Sequence, residues 1–161
     1  KLSVTMALES QSGDKYDNLR KFFKKFEEKL HKYMSKHPDL LGKESIDMDV
    51  LESRFNPMVR YAKDRETGEV TDKYPPNVKA KLITRDDGEL VTRIWKDRHT
   101  RLTSHDVISP GTWLESFVEF SSIYVVQGNF GVTMKALQLL LKSVPTKEDY
   151  LFDDDSEDES D

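Results

Sequence analysis

At the start of the chain Leu2, Val4, Met6 and Leu8 are interleaved with Ser3, Thr5 and Ala7, the two-residue period of a strand. Ser12-Gly13-Asp14 ends that run, and Asp14 is a candidate helix cap. From Lys15 to about Lys36 the period changes. Tyr16, Leu19, Phe23, Phe26, Leu30, Tyr33 and Met34 recur at three- and four-residue steps, predicting an amphipathic helix with an aromatic stripe against a sheet and lysines in water. Pro38 and Gly42 stop it. Residues 57–62 read as strand, 63–70 as a polar turn around Gly68, and Tyr74-Pro75-Pro76 as a stiff extended bend. Residues 77–84 and 89–95 are strands about Arg85-Asp86-Asp87-Gly88, and 112–126 is one long strand or two. Residues 131–142 follow as strand, after a turn bounded by Gly128 and Gly131, although the Met134, Leu137, Leu141 spacing also fits a short helix. The outline predicts a mainly β protein with an inserted α-helix, an OB-fold-like small β-barrel, with a sandwich as the alternative.

The segment 77–96 permits a residue-level expectation. A three-residue loop, Asp86-Asp87-Gly88, suits a type I turn whose last residue is left-handed. Lys79 would then oppose Trp95, Lys81 would oppose Arg93, and Ile83 would oppose Val91 on one side. Ala80 with Ile94, Leu82 with Thr92 and Thr84 with Leu90 would form the core side. A wall of Lys79, Lys81, Arg93 and Trp95, with Arg85, Lys96, Arg98 and Arg101 nearby, can track phosphates and stack a base. Arg60, Tyr61 and Tyr74 would extend the track. The competing reading is a solvated charged face with Trp95 covering a barrel end. Segment 79–101 holds seven basic residues against four acids, and a one-residue slip would scatter the group.

Charge sharpens this picture. The net charge of −5 over 161 residues is unpromising for a nucleic-acid binder, but 153–161 holds seven acids and no base. The 25 basic residues then face 23 acids in 1–152. We therefore divide the chain into a binding domain, 1–152, and an acidic tail, 153–161, expected to be disordered. Nine extended residues reach about 30 Å at ~3.3 Å each, enough to lie across a basic groove and compete with DNA. Ser156, before Glu157-Asp158-Glu159, suits an acid-directed kinase. A solubilising appendage is the plainer alternative.

Other chemistries find little support. With no cysteine, neither disulfides nor thiolate zinc sites are expected. No apolar run approaches a membrane span, and no signal peptide is visible. The chain opens on Lys1 rather than Met, so an excised fragment is expected. His99 and His105 with Asp97 and Asp106 lack a third histidine to fix a metal. His37-Pro38-Asp39 matches the co-chaperone J-domain tripeptide, but helix termination accounts for it. No Gly-rich phosphate loop or nucleophile elbow occurs. No enzyme, cofactor or metal is expected.

The stretch Gln127-Gly128-Asn129-Phe130-Gly131, followed by an apolar run with a lone lysine and a lone glutamine, adds a resemblance. Gly128, Phe130, Gly131, Val132, Thr133 and Gln138 resemble the C-terminal strand-turn-strand of the single-stranded DNA-binding proteins of nucleocytoplasmic large DNA viruses. That family is distantly similar to the acidic-tailed replication proteins of short-tailed phages. The general plan covers most of 50–161, and the specific motif only 127–138. The resemblance implies an OB fold, binding of single-stranded DNA with little sequence preference, and a viral role in DNA replication or repair. It also implies host-cytoplasmic replication sites and replication-protein partners reached through the tail. Two departures stand out: Met134 where the family often has tryptophan, and Tyr150 and Phe152 before the acids rather than an aromatic terminus. On physical grounds both glycines read as turn residues and Phe130 as a plug or a stacking ring.

The expected function is sequence-nonspecific single-stranded DNA binding, with RNA as a variant the sequence does not separate. The alternative from another class is an acidic-tailed protein-interaction or histone-chaperone-like module.

Overall fold

The long apolar run near the C-terminal end organises the fold. In the computed structural model, which describes residues 2–8, 15–71 and 73–143, that run is one strand, β8 (Asn129–Ser143). The others are β1 (Ser3–Ala7), β2 (Phe55–Asn56), β3 (Val59–Arg60), β4 (Asn77–Leu82), β5 (Arg93–Trp95), β6 (Arg101–Leu102) and β7 (Trp113–Val126). Two helices, α1 (Lys15–Lys36) and α2 (Met48–Ser53), complete a mixed α/β architecture. The strands form one open mixed sheet, connected as β1-β4-β8-β5-β6, with β2 and β7 also on β8 and β3 on β4. The expected barrel is not found: among the described residues the sheet does not close. The acidic tail and the Asp14 cap lie outside the described residues.

The chain divides into two compact units, Lys1–Ile83 with Val118–Ala136, and Thr84–Phe117 with Leu137–Asp161. In the first, β1 and β4 pair antiparallel from Ser3 with Lys81 to Ala7 with Asn77. β4 runs parallel to β8, Lys81 opposite Lys135 and Leu82 opposite Ala136. Alternation in β4 buries Val78, Ala80 and Leu82 and exposes Lys79 and Lys81, as the sequence predicts.

Helix α1 covers this core with part of the expected stripe: Phe23, Leu30 and Met34 are buried, while Leu19 and Tyr33 are exposed. Leu30 and Met34 pack with Leu41, Leu51, Phe55 and Phe130. Higher up, Phe22, Phe23 and Phe26 surround Phe120 of β7, the nearest centroids 4.9 Å apart. Of these rings Phe23 is buried, and burial of such a side chain contributes about 1.5–3 kcal/mol. The helix ends at Lys36, and His37-Pro38-Asp39 enters a 3-10 turn over Pro38–Leu41 closed by left-handed Gly42, so helix termination explains that tripeptide. Helix α2 is not visible as a period in the sequence. Its six residues bury only Leu51, too little to set a pattern.

The β7–β8 connection is the two-residue turn Gln127-Gly128. Both have positive φ, 52° and 77°, which a tight hairpin matched to strand twist requires. Arg54 Nη1 donates to the Gly128 carbonyl at 3.4 Å, and Phe130 N–H donates to the Arg54 carbonyl at 3.0 Å. Gly131 is not a turn residue. It lies inside β8, and a Cβ there would stand 2.5 Å from the Tyr124 hydroxyl oxygen. Glycine thus lets the tyrosine ring lie on the backbone of the facing strand. Phe130 is a plug, fully buried.

In the second unit, β5 runs parallel to β8 and antiparallel to β6. Ile94 opposes Leu139, and both are 0% exposed. The buried positions of β8 change phase along its length, from Phe130, Met134 and Ala136 to Leu139 and Leu141. The change falls at Leu137-Gln138, where Leu137 is 42% exposed and the half-buried Gln138 stands opposite Arg93.

The 77–96 ribbon forms only at its tip. Thr84 bridges Leu90, Arg85 N–H donates to the Glu89 carbonyl at 2.8 Å, and Gly88 is left-handed at φ 88°. The turn and its local register are as predicted. Beyond it, β4 and β5 pair not with each other but with successive stretches of β8. Lys81 opposes Lys135 instead of Arg93, Lys79 opposes Thr5, and Trp95 opposes Leu140 and Arg101. The physical reason is burial. A ribbon would set Ile94 against Ala80, whereas β8 offers Leu139, a larger apolar partner.

Candidate nucleic-acid interface

On the first unit the exposed side of β4 and its neighbours is basic. Arg60 of β3 opposes Asn77, so it shares a face with Lys79 and Lys81. Lys135 joins them across β8. Ser3 and Thr5 of β1, directly opposite Lys81 and Lys79, put small hydroxyl side chains on the same face. Directly opposed like charges destabilise a sheet. Among the described residues none of these four cations forms an ion pair. The fold therefore holds a repulsive cluster on one side of the sheet, which an anion would relieve. Tyr61 and Tyr74, expected to extend the track, are exposed, and Lys73 Nζ lies 5.7 Å from the centre of the Tyr74 ring. Sequence reasoning noticed Lys135 only as a lone charge in an apolar run. That loneliness was the available signal.

On the second unit Arg93, Trp95 and Arg101 share the exposed face of β5 and β6. Lys96 and Arg98 sit exposed in the turn that follows. Asp97 builds that turn: its Oδ1 accepts from the N–H groups of His99 and Thr100, each at 2.8 Å. The His99 N–H, then the Thr100 hydroxyl and N–H, hold the Asp97 carboxyl below the usual carboxylate range. Asp64 builds the Gly68 turn in the same way, accepting from Thr67 and Glu66, with its carboxyl also lowered. Arg85 does not join the group as a free cation, because it pairs with Glu89 across the tip of the ribbon.

Beside Trp95 lies a cleft of about 430 Å³ that the sequence did not reveal. Its floor is Gln138 and Leu140 of β8, and one side is Trp95 with Arg98. The other side is Phe117 of β7, which is 73% exposed. The Trp95 indole N–H is buried and has no hydrogen-bond partner among the described residues. Glu115, also at the cleft, is 3.1 Å from Lys142.

The expected single wall is thus two surfaces. Arg60, Lys79 and Lys81 are brought together on the first unit with Lys135. Arg93, Trp95, Lys96, Arg98 and Arg101 belong to the second. His99 and His105 make no metal cluster, and no group of three or more His, Asp or Glu able to hold a metal occurs among the described residues. His105 lies 3.5 Å from Asp106 alone. No described helix is long and apolar enough to cross a membrane. Compared with known proteins, the chain matches no protein-family model, no curated protein and no solved structure.

Proposed function

We propose that this protein binds single-stranded nucleic acid, DNA foremost, through backbone phosphates and without sequence preference, in viral DNA replication or repair. The observation that carries the reading is the pairing of Lys81 with Lys135 beside Lys79 and Arg60, with no described acid neutralising any of them. Such a face attracts a polyanion by releasing its counterions. Single strands are favoured over duplex because Tyr61 and Tyr74 expose rings on which unpaired bases can stack. The finer reading is an OB-type module related to the viral family that residues 127–138 resemble. In that form the strand would lie on an open sheet face rather than in a barrel groove. The acidic tail, 153–161, is proposed to compete for the same cations and to recruit replication proteins.

Labelled oligonucleotide and duplex of equal length, titrated at about 50 and 200 mM salt, test this. The protein should prefer the single strand, weaken with salt, and lose affinity in the Lys81→Ala, Lys135→Ala double variant. Deleting 153–161 should tighten binding. A folded double variant with unaltered affinity and salt dependence would remove the assigned face. Loss of a basic protein partner on tail deletion, without any oligonucleotide binding, would favour the chaperone-like module instead.

A further inference from the structure

We infer that the cleft of the second unit is a pocket for one unpaired nucleobase, stacked between Trp95 and Phe117. This goes beyond phosphate tracking and rests on the proposed function only for the class of ligand.

The geometry follows from strand spacing. A strand has two edges. At 138–140 β8 gives one to β5, and β7, returning from the Gln127-Gly128 turn, takes the other. Side chains on β5 and β7 are therefore two strand spacings apart, roughly 9–10 Å. Three stacked aromatic layers need about 7–8 Å from first to last. Trp95 and Phe117 thus border one cleft from either side of β8, with room between them for a flat ring. The lateral space, about 430 Å³, leaves room for the attached sugar.

The polar groups at the slot suit a base rather than an aliphatic ligand. Gln138 brings a donor and an acceptor together, and the Asp97 carboxylate accepts from an exocyclic amine. Arg98 is placed for the phosphate that a base brings with it. Two further features distinguish the slot from ordinary core. Phe117 is more exposed than any other large hydrophobic residue among those described. A base stacked on this ring would cover it. Trp95 carries a buried indole N–H with no partner among the described residues.

The test uses the full chain with Trp113→Phe, so that Trp95 is the only tryptophan. Its emission is followed while adding a nucleoside monophosphate, an oligonucleotide, or the same oligonucleotide with abasic sugars throughout. The nucleotide and the normal oligonucleotide should quench Trp95, and the abasic strand should not. Adding Phe117→Ala should abolish quenching by the nucleotide and weaken oligonucleotide binding by about five- to a hundredfold. The exposure of Phe117 makes misfolding of that variant unexpected, and Phe117→Tyr should restore quenching. Equal quenching by the abasic strand, or quenching indifferent to Phe117→Ala, overturns the pocket. Salt-sensitive strand binding with no quenching overturns the pocket and leaves the proposed function standing. Quenching by nucleotide without any strand binding does the reverse.

Discussion

The two basic surfaces of this molecule are built on opposite plans. The face around Lys79, Lys81 and Lys135 is made of flexible cations, with Lys79 and Lys81 exposed and Lys135 half-buried. The face around Trp95 uses arginines and two rings, and encloses a cleft with an amide at its floor. Lysine is a point charge on a flexible stem, suited to a phosphate at any position, whereas rings and an amide require a defined object. The contrast separates two jobs within single-strand binding: holding a backbone and holding a base. It also separates two costs, electrostatic repulsion in one case and exposed apolar surface in the other.

The sharpest way to test the comparison uses two phenylalanines flanking one hairpin. Phe130→Ala removes a fully buried ring from the core under α1 and should cost about 3–5 kcal/mol of stability in urea unfolding. Phe117→Ala should stay within about 0.5 kcal/mol of the parent, its effect appearing in binding alone. Equal stability losses would mean that Phe117 is core and the cleft is not a site. Next in size, Trp95→Ala should weaken oligonucleotide binding by about 1–3 kcal/mol while leaving the salt dependence unchanged. The Lys81→Ala, Lys135→Ala pair should behave in the opposite way. Each phosphate contact in a single strand contributes roughly 0.7 to the logarithmic salt slope, so the slope should fall by about 1.4. Relief of repulsion should raise stability by about 0.2–1 kcal/mol, measured by thermal unfolding. A steeper slope in that variant would refute the backbone role. Gly88→Ala forces a side chain into the left-handed region at φ 88° and should destabilise by roughly 1–2 kcal/mol. It should leave nucleotide quenching intact, because the ribbon tip lies outside the cleft lining.

The smallest effect concerns acid. The folded state holds the Asp97 carboxyl below its usual value, so the turn it caps gains stability above the unfolded pKa. That contribution should disappear as pH falls through the folded pKa. The protection of the His99 and Thr100 amides, relative to their intrinsic exchange at each pH, should therefore fall in acid, and Asp97→Asn should remove that pH-dependent loss of protection.

Much of the local structure was legible. α1 followed from its three- and four-residue spacing because an amphipathic helix is determined by neighbours within a turn or two. The ribbon tip followed from Gly88, since few residues accept its conformation. The inward and outward positions of β4 and β5 followed from alternation, and Lys79, Lys81, Arg93 and Trp95 all face away from the core side as expected. What failed was partner choice. Strands joined by a tight turn need not stay paired along their length. β8 drew each strand away with a better apolar face. Gly131 misled for a related reason: its role is to accommodate Tyr124 across the hairpin, and only the folded neighbour makes that need visible. Phe117 gave a faint signal, alternating with Glu115 and Glu119 on a strand face too charged to be core.

The order of residues alone therefore determined α1, the ribbon tip, and which side chains of β4 and β5 point to water. Those properties depend on contacts a few residues long. The tertiary structure alone decided that Lys135 would stand against Lys81, that Arg93 would face Gln138, and that Trp95 and Phe117 would border one slot. These depend on which distant strand buries the most apolar surface, a competition among all possible pairings that no single stretch of sequence encodes.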